Sequence, residues 1–482
     1  MVESPSQNED SMPSAASVVF EADQSVNGWA VRDPETGGIA QEFVEAVLLG
    51  IGATDHGLAR DLTADLHEAD LADLIEALPV AERTRLVALL GSDFDFAALT
   101  EVDESVRLSL LENLPVDTVA EGLAELDSDD AVYILEDLPV DDRVEILDQI
   151  PALERVVLQR SLDYPEESAG RRMQTEYIAV PPFWTVGQAI DYMRETVDLP
   201  DSFYELFVVD PTYRLLGTVA LDRLLRTKRP ISVSDIMGET AYTVRAEEDQ
   251  EEVARTFERY NLVSAAVVDE AERLVGVLTI DDIVDVIHEE HDEDIKRMGG
   301  VGDEEISDNV AEAVKSRFVW LMVNLGTAIL ASVVIGMFDA TIQQMVALAV
   351  LMPIVASMGG NAATQTMTVA VRALATRELD AYNVRRIIMR EGTVGLINGA
   401  LFAVVIGIVA GLWFGNAALS IVIAFAMIIN MVSAGFAGIL IPIVLDKLKA
   451  DPAIASGVFV TTVTDVVGFF AFLGLAAWWF GI

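Results

Sequence analysis

The fold class of this chain follows from PAIASGVFVTTVTDVVGFFAFLGLAAWWFGI, residues 452–482, an apolar stretch long enough to cross a bilayer. Asp465 is its only charged residue, and Thr461, Thr462 and Thr464 closely precede it. A carboxylate near a bilayer centre costs at least ~2.5–3.5 kcal/mol, so it persists only beside water, a cation or a bonding partner. Helical spacing places Thr461 and Thr462 on the face of Asp465. The stretch therefore predicts a transmembrane helix with an oxygen-rich site that suits a hard cation.

Four other apolar stretches precede this one, and each matches a hydrocarbon core of ~30 Å. The five predicted spans are residues 318–338, 342–370, 387–414, 419–445 and 453–480. Basic residues occur in the loops after the second and fourth predicted spans and are absent from the loops after the first and third. By the positive-inside rule, we expect the N-terminus and both basic loops in the cytoplasm and the C-terminus outside.

Polar and helix-breaking residues interrupt the second span in MPIVASMGGNAATQTMTVA, residues 352–370. Pro353 and the adjacent glycines Gly359 and Gly360 loosen backbone hydrogen bonding, which is tolerated where a helix faces protein or a wet cavity. Asn361 adds an amide beside them. Amides and hydroxyls inside a membrane commonly bond only to neighbouring helices, so Asn361 and Thr464 are weaker candidate cation ligands than Asp465.

An acidic stretch, HEEHDEDIKRMGG (288–300), leads toward the membrane domain and predicts a charged linker helix with a glycine-rich interruption. Its carboxylates, and those just before it, recur at helical spacings of three and four. At these spacings they repel each other unless cations bridge them. A solvated face of an acidic protein is the ordinary explanation of such a run. Its position directly before the spans favours cation binding instead.

Two copies of one pattern precede the linker, and each reads strand, helix, strand, turn, strand, helix. The second copy includes SAAVVDEAERLVGVLTIDDIV, residues 264–284. The pattern resembles a tandem pair of CBS domains, which implies an α+β fold. In the second copy, Thr279 and Asp282 match the threonine and acid that the family places near nucleotide ribose and phosphate, which implies a candidate ATP site. The first copy has Ala220 and Arg223 at these places, which argues against a nucleotide there.

The region before the CBS pair is helical in pattern and contains a weak repeat: IEALPV (75–80), LENLPV (111–116) and LEDLPV (135–140). Each proline follows a leucine that ends one helix, and the next helix opens directly after it. Stacked helical hairpins, as in a small α-solenoid, explain this spacing. The acids Asp127, Asp129 and Asp130 in this region are candidate ligands opposite those near the linker.

The predicted architecture is a multidomain membrane protein with an all-α domain of five transmembrane helices. Its parts are a disordered acidic tail (1–38), an acidic α-solenoid-like domain (39–165), a CBS pair (172–287, as 172–227 and 232–287), an acidic linker helix (288–316) and a membrane domain (317–482).

The net charge of −47 lies almost entirely before the spans, because residues 317–482 hold seven acids and eight bases. Such a field repels nucleic acid, so we expect no nucleic-acid partner. Acid excess with only five lysines is typical of a salt-rich cytosol, although a merely acidic mesophile has the same composition. Absence of cysteine excludes disulfides and thiolate sites. The polar N-terminus lacks an apolar signal segment, so we expect the soluble half to stay in the cytosol.

PIVASMGGNAATQT in the second span, and DPAIASGVFVTTVTDVVGFF (451–470) leading through the fifth, resemble the MgtE family of magnesium channels. The order of acidic helical domain, CBS pair and acidic linker is also similar. The resemblance implies a prokaryotic homodimer in the plasma membrane, with Mg²⁺ moving through a pore at Asp465. It further implies regulatory Mg²⁺ ligands among the following acids: Asp282, Asp285, Glu290, Glu293, Asp294 and Asp451.

Two alternatives stay open at this stage. Asp465 would serve equally well in a secondary transporter that exchanges protons for a divalent cation. A membrane-anchored CBS nucleotide sensor without transport is the other alternative. An enzyme is the least expected, because the sequence has no nucleophile elbow or phosphate-binding loop. Oxygen ligands alone do not select among Mg²⁺, Mn²⁺, Co²⁺ and Ni²⁺.

Overall fold

The computed structural model describes residues 25–53, 57–196, 199–200, 202–238, 242–301, 310–377, 379 and 383–481. The chain divides into two compact units, one up to Ile287 and one from His288 onward. The first unit contains the helical domain and the CBS pair, and the second contains the end of the linker helix and the apolar helices.

A short hairpin opens the described part of the helical domain. Strands β1 (Ser25–Val26) and β2 (Trp29–Ala30) pair antiparallel, and Arg32 then forms ion pairs with Asp70 and Asp73 at 2.6 and 2.9 Å. The predicted disordered tail is therefore too long, because residues 25–38 are anchored on the helices that follow. Residues 1–24 of that predicted tail lie outside the described residues.

Nine α-helices follow in the described part of this domain. They are α1 (Gln41–Gly52), α2 (Gly57–Thr63), α3 (Glu68–Ala77), α4 (Val80–Leu90), α5 (Glu104–Asn113), α6 (Val116–Glu125), α7 (Ser128–Glu136), α8 (Val140–Gln149) and α9 (Ala152–Leu162). Pro79, Pro115 and Pro139 each immediately precede a helix, where the missing N–H needs no partner and the fixed φ suits helix entry. The predicted stack of proline-punctuated helices is confirmed.

Arg107 of α5 is a charged residue inside the apolar core of this domain, with 3% of its surface exposed. Its Nη2 donates to Asp137 Oδ2 at 2.5 Å, and its Nη1 donates to the carbonyls of Leu99 and Val102. The guanidinium also lies over the ring of Tyr133, 4.6 Å from its centroid. Because these groups replace its hydration, Arg107 ties α5 to the C-terminal end of α7 and to the segment that directly precedes α5.

The CBS pair contains two copies of one small fold. The short helix α10 (Ala169–Arg172) precedes the pair. The first copy has β3 (Ala179–Val180), α11 (Val186–Glu195), β4 (Glu205–Val209), β5 (Leu215–Ala220) and α12 (Leu221–Leu225). The second copy has α13 (Val233–Ile236), β6 (Thr243–Arg245), α14 (Gln250–Tyr260), β7 (Ser264–Val268), β8 (Leu274–Thr279) and α15 (Ile280–Gly299). Each sheet has one parallel and one antiparallel pair, in the orders β3-β4-β5 and β6-β7-β8. Phe207 and Ala266 contribute to one apolar cluster shared by both sheets. The predicted tandem repeat is confirmed.

The second unit holds five helices long and apolar enough to cross a membrane, as predicted. They are α16 (Val310–Gly336), α18 (Val346–Ala375), α19 (Val384–Phe414), α20 (Ala417–Lys447) and α21 (Pro452–Phe480), with the short α17 (Asp339–Gln344) after the first. The predicted second span begins too early, because the backbone leaves the helical region at Met345.

The linker differs from its prediction as a separate helix over 288–316. Helix α15 already begins at Ile280, inside the second CBS copy, and it ends at Gly299. Gly300 follows with φ +70°, a left-handed conformation that glycine adopts without steric cost. The next helix begins at Val310, still inside the range predicted for the linker.

Replacing Arg107 with alanine should lower the free energy of unfolding of the helical domain by about 3–5 kcal/mol, because Asp137 would lose its buried counter-ion. Hydrogen–deuterium exchange of the full chain should show faster exchange in α5 and α7. Arg85→Ala removes an exposed arginine paired only with Glu82 in the same helix and is the matched control. Equal exchange in the two variants would contradict the role given to Arg107.

Candidate cation sites

Asp465 lies in the middle of α21 and is partly exposed. Its carboxylate makes no hydrogen bond or ion pair with another described residue. The hydroxyl of Thr461, one turn earlier on the same face, donates to the carbonyl of Gly457 at 2.9 Å, so its lone pairs remain available as acceptors. Thr464 differs, because it is fully buried and its hydroxyl donates to the carbonyl of Thr461. The accessible hydroxyl oxygens near Asp465 are therefore those of Thr461 and Thr462 and not that of Thr464.

Helix α18 runs antiparallel to α21. Near one end Leu351 shares an apolar cluster with Leu473, and near the other Met367 shares one with Val460. Between these clusters, Gly359 of α18 and Gly468 of α21 both face the side chain of Asn430 in α20. The two glycines therefore lie at the same level along the helix pair.

This alignment fixes the depth of Asn361 relative to Asp465. With a rise of ~1.5 Å per residue, Asp465 lies ~4.5 Å from Gly468 along α21, and Asn361 lies ~3 Å from Gly359 along α18. Both displacements are toward the Arg372 end of α18, because the helices are antiparallel. Asn361 and Asp465 are thus at nearly the same depth in the helix bundle.

Helix α18 presents a polar face that is exposed in the single chain. Its members recur at spacings of three and four: Asn361, Thr364, Gln365, Thr368 and Arg372. Lipid does not satisfy amides and a guanidinium, so such a face requires water or another protein surface. Asp465 on α21 and the polar face of α18 together have the chemistry of one wall of a hydrated cation pathway.

A second concentration of carboxylates lies in the first unit, where α7 meets the start of α15. Burial, together with the negative charge of Asp282, raises the pKa of Asp130 to about 7 and that of Asp129 well above its usual range. Burial also raises the pKa of Asp282 to about 6, with Asp281 and Asp285 adding repulsion. Asp129 and Asp130 of α7 therefore lie close to Asp282 at the start of α15. We call Asp127, Asp129, Asp130, Asp282, Asp285, Glu68 and Glu101 the acidic cluster.

Hydrogen bonds hold the start of α7 in this position. The Ser128 hydroxyl donates to Glu176 at 2.8 Å, and the backbone N–H of Thr175 donates to the Ser128 hydroxyl at 2.8 Å. The hydroxyl of Thr279 donates to Asp282 at 2.5 Å and fixes that carboxylate. Among the described residues, no three acidic or histidine side chains are already arranged as a metal-ligand set. The acidic cluster is thus a partly buried group of carboxylates without a preformed metal-ligand set among the described residues.

The acids of the linker have different surroundings. Arg297, near the end of α15, forms ion pairs with Glu293 and, at 2.8 Å, with Asp451. Asp451 also caps α21 by accepting a hydrogen bond from the N–H of Ala453 at 2.7 Å. Two of the predicted regulatory ligands, Glu293 and Asp451, are therefore neutralised by an arginine, which argues against both as cation ligands in this arrangement. Glu290 and Asp294 lie on the same helix, in the part of it that belongs to the second unit.

Three protein-family models match this chain. A family model described as divalent cation transporter matches residues 352–475, one described as MgtE intracellular N domain matches 66–167, and a CBS domain model matches 233–289. The magnesium transporter MgtE of Bacillus subtilis (strain 168) is 34% identical over 418 residues, 86% of this chain and 93% of that protein. This chain belongs to the MgtE family.

Other relatives are less complete. The magnesium transporter MgtE of Enterococcus faecalis (strain ATCC 700802 / V583) is 34% identical over 320 residues, 66% of this chain and 71% of that protein. A crystal structure of the cytosolic domain of the Mg²⁺ channel MgtE in complex with ATP is 29% identical and covers 50% of this chain and 99% of that one, with a TM-score of 0.48.

Three acids of this MgtE family member were not among the site residues predicted from the sequence. Glu68 and Glu101 join the acidic cluster, where burial and the charges of Asp285 and Glu68 raise the pKa of Glu101. No local spacing pattern connects them to α15. Glu391 is the only acid inside the third predicted span and is 8% exposed; it accepts a hydrogen bond from Thr366 at 3.3 Å. An isolated acid in an apolar stretch was the available signal for Glu391.

Asp130→Asn should stabilise the metal-free first unit by on the order of 1–2 kcal/mol, because it removes a buried negative charge from among others. In thermal unfolding of the full chain in EDTA, we expect a higher Tm for the first unit and a smaller further rise on adding Mg²⁺. Asp142→Asn, which neutralises an exposed acid of α8, is the control. A lower Tm for Asp130→Asn in EDTA would contradict mutual repulsion in the acidic cluster.

Proposed function

We propose that this chain carries Mg²⁺ across a membrane along a pathway that passes Asp465, and that cytosolic Mg²⁺ regulates this flow. The observation that carries the proposal is the partly exposed carboxylate of Asp465, which has no partner among the described residues and lies at the depth of Asn361. A single carboxylate suits a cation that keeps most of its water, as Mg²⁺ does. The name magnesium transporter, printed for the relatives, supports the choice of ion.

The working assembly in this proposal is a homodimer in the lipid bilayer. One copy leaves the polar face of α18 uncovered, and one Asp465 carries only half the charge of a divalent ion. Two copies related by an axis beside α21 would place two carboxylates across one hydrated path and balance a single Mg²⁺. The exposed amides and hydroxyls of α18 would then face water or the partner instead of lipid.

The proposed orientation places the N-terminus in the cytoplasm of a prokaryotic cell and the C-terminus outside the plasma membrane. The basic loops after the second and fourth predicted spans support it through the positive-inside rule. The membrane potential would then drive inward flow, because each charge gains ~2.3 kcal/mol per 100 mV and Mg²⁺ carries two. Flow down this potential is channel-like and needs no catalytic step, so we assign no enzymatic activity.

The proposed regulation acts through the acidic cluster. Mg²⁺ at the cluster would offset the repulsion that raises the pKa values of Asp129, Asp130 and Asp282, and would hold α7 against α15. When cytosolic Mg²⁺ falls, the unbalanced carboxylates would drive the two elements apart. Within the second unit, the ion pair between Arg297 and Asp451 connects the end of α15 to the start of α21. Movement of α15 would therefore be transmitted to the helix that carries Asp465.

A nucleotide at Thr279 and Asp282 fits this geometry less well than a cation. The Thr279 hydroxyl is already bonded to Asp282, and Asp282 faces the carboxylates of α7. Negative charge at this position repels the phosphates of ATP. We therefore propose a cation, rather than ATP, as the ligand on this side of the CBS pair.

Asp465→Asn should reduce Mg²⁺ uptake into proteoliposomes on the order of a hundredfold, because the anion that offsets loss of bulk hydration is removed. Uptake is measured with a trapped Mg²⁺ dye under a K⁺ diffusion potential. Asp446→Asn, at the exposed end of α20, is the control. Undiminished uptake by Asp465→Asn would refute the pathway, and wild-type uptake that follows a pH gradient but ignores voltage would replace the channel with a proton exchanger.

The double variant Asp129→Asn/Asp130→Asn should keep its maximal uptake but require about fivefold to a hundredfold more internal Mg²⁺ for half-inhibition, because the binding that closes the pathway is weakened. The measurement is uptake at controlled internal Mg²⁺. Asp141→Asn/Asp142→Asn neutralises two exposed acids on α8 and should leave the inhibition curve unchanged. The same half-inhibiting concentration in both double variants would rule out the acidic cluster as the sensor.

A further inference from the structure

Asn430 is a fully buried amide in the middle of α20. Its Nδ2 donates to the backbone carbonyl of Val355 in α18 at 2.8 Å. That carbonyl lies inside α18, two residues after Pro353. The amide therefore links α20 to α18 through a hydrogen bond from a side chain to the backbone.

Two glycines form a slot for this amide. A Cβ on Gly359 would lie 2.2 Å from Asn430 Nδ2, and a Cβ on Gly468 would lie 2.7 Å from the same atom. Neither position accepts a side chain while Asn430 stays in place. The amide is thus held between α18 and α21, and it is the polar group at the junction of three helices.

Packing alone does not explain an amide at this junction. Asn430 Oδ1 is buried and has no hydrogen-bond partner among the described residues. Turning the amide over would set that oxygen against the carbonyl oxygen of Val355, so the observed orientation is imposed by the helix. A buried acceptor without a partner costs about 1–3 kcal/mol, which an apolar side chain of similar volume would avoid. The gain in stability therefore does not by itself explain why an amide that bonds to α18 lies at this junction.

We propose that Asn430 is a positioning residue that sets the depth of Asp465 relative to Asn361 and thereby selects the divalent cation that passes. The inference rests on the proposed function. Asp465 lies three residues from Gly468 and Asn361 lies two residues from Gly359, so the amide fixes both polar groups through the two glycines that it contacts. No contact of Asn430 with the ion is required.

Fixed spacing discriminates between cations because their shells differ in rigidity. Mg²⁺ demands near-octahedral geometry and keeps its water, whereas Ca²⁺ accepts six to eight oxygens in irregular arrangements. A rigid separation of Asp465 and Asn361 can match the hydrated Mg²⁺ ion. If the separation of Asp465 and Asn361 becomes less rigid, that match is lost, and the passage of Ca²⁺ is reduced less than the passage of Mg²⁺ because Ca²⁺ accepts irregular arrangements. Loss of the Asn430 hydrogen bond should therefore change selectivity more than it changes total flux.

The test measures Mg²⁺ and Ca²⁺ uptake by the full chain in proteoliposomes and takes their ratio. Asn430→Ala should lower the Mg²⁺/Ca²⁺ ratio by about threefold to tenfold, the range expected for one interhelical hydrogen bond in a membrane. Asn324→Ala, which removes an exposed amide from α16, is the matched control and should keep the wild-type ratio.

Gly468→Ala tests the same proposal in a second way. Its added methyl group should displace the amide group of Asn430, although Asn430 itself is retained. We expect a similar fall in the ratio. The double variant Asn430→Ala/Gly468→Ala should show no further fall, since the methyl group then enters the space that the amide leaves. Gly326→Ala, whose Cβ meets nothing within 4 Å, is the control for adding a methyl group to a span.

An unchanged ratio in folded Asn430→Ala and Gly468→Ala would overturn the proposal. So would additive falls in the double variant, because the two residues would then act separately. If neither variant yields folded protein by size-exclusion chromatography, Asn430 has a purely structural role and the proposal is also wrong. Loss of uptake in Asp465→Asn together with a wild-type ratio in Asn430→Ala would refute only this inference. Full uptake in Asp465→Asn would refute the proposed function itself.

Discussion

A carboxylate removed from water must be balanced by a cation, a hydrogen-bond donor or a proton, and this constraint governs both candidate sites. In the membrane domain, the carboxylate of Asp465 has no such partner among the described residues, although its surroundings are apolar. In the first unit this constraint acts on several acids at once, because Asp129, Asp130 and Asp282 share a small, poorly hydrated volume. Both arrangements cost the protein alone free energy, which the proposed divalent ion would offset.

The same constraint explains where arginine is used. Arg107 is buried in the helical domain, but it neutralises Asp137, which lies outside the acidic cluster. Arg297 neutralises Asp451 at the start of α21 and so connects this helix to the end of α15. No arginine ion pair to Asp129, Asp130 or Asp465 is found among the described residues. Arg107 and Arg297 thus neutralise acids at contacts between helices.

Close helix packing in the membrane domain depends on small residues on α19 and α20. A Cβ on Gly395 would lie 2.6 Å from the carbonyl oxygen of Met431, and one on Gly438 would lie 2.7 Å from that of Ala363. Without side chains at these points, α19 and α18 approach the backbone of α20 directly, as is common where lipid gives no hydrophobic driving force. Helices α18, α19 and α21 therefore all pack against α20, and Asn430 lies in the middle of α20.

The sequence by itself determined the five apolar helices, the repeated CBS pattern and the position of Asp465 as a lone charge in the last of these helices, because each is a local property. A bilayer requires a continuous apolar run, a repeat shows in adjacent residues, and a lone charge in such a run is conspicuous. Only the tertiary structure decided that Glu68 and Glu101 join the acids of α7 and α15, that Arg297 neutralises an acid 154 residues away, and that Asn430 bonds to a carbonyl 75 residues away. Such contacts depend on how helices pack in three dimensions, and no spacing along the chain encodes them.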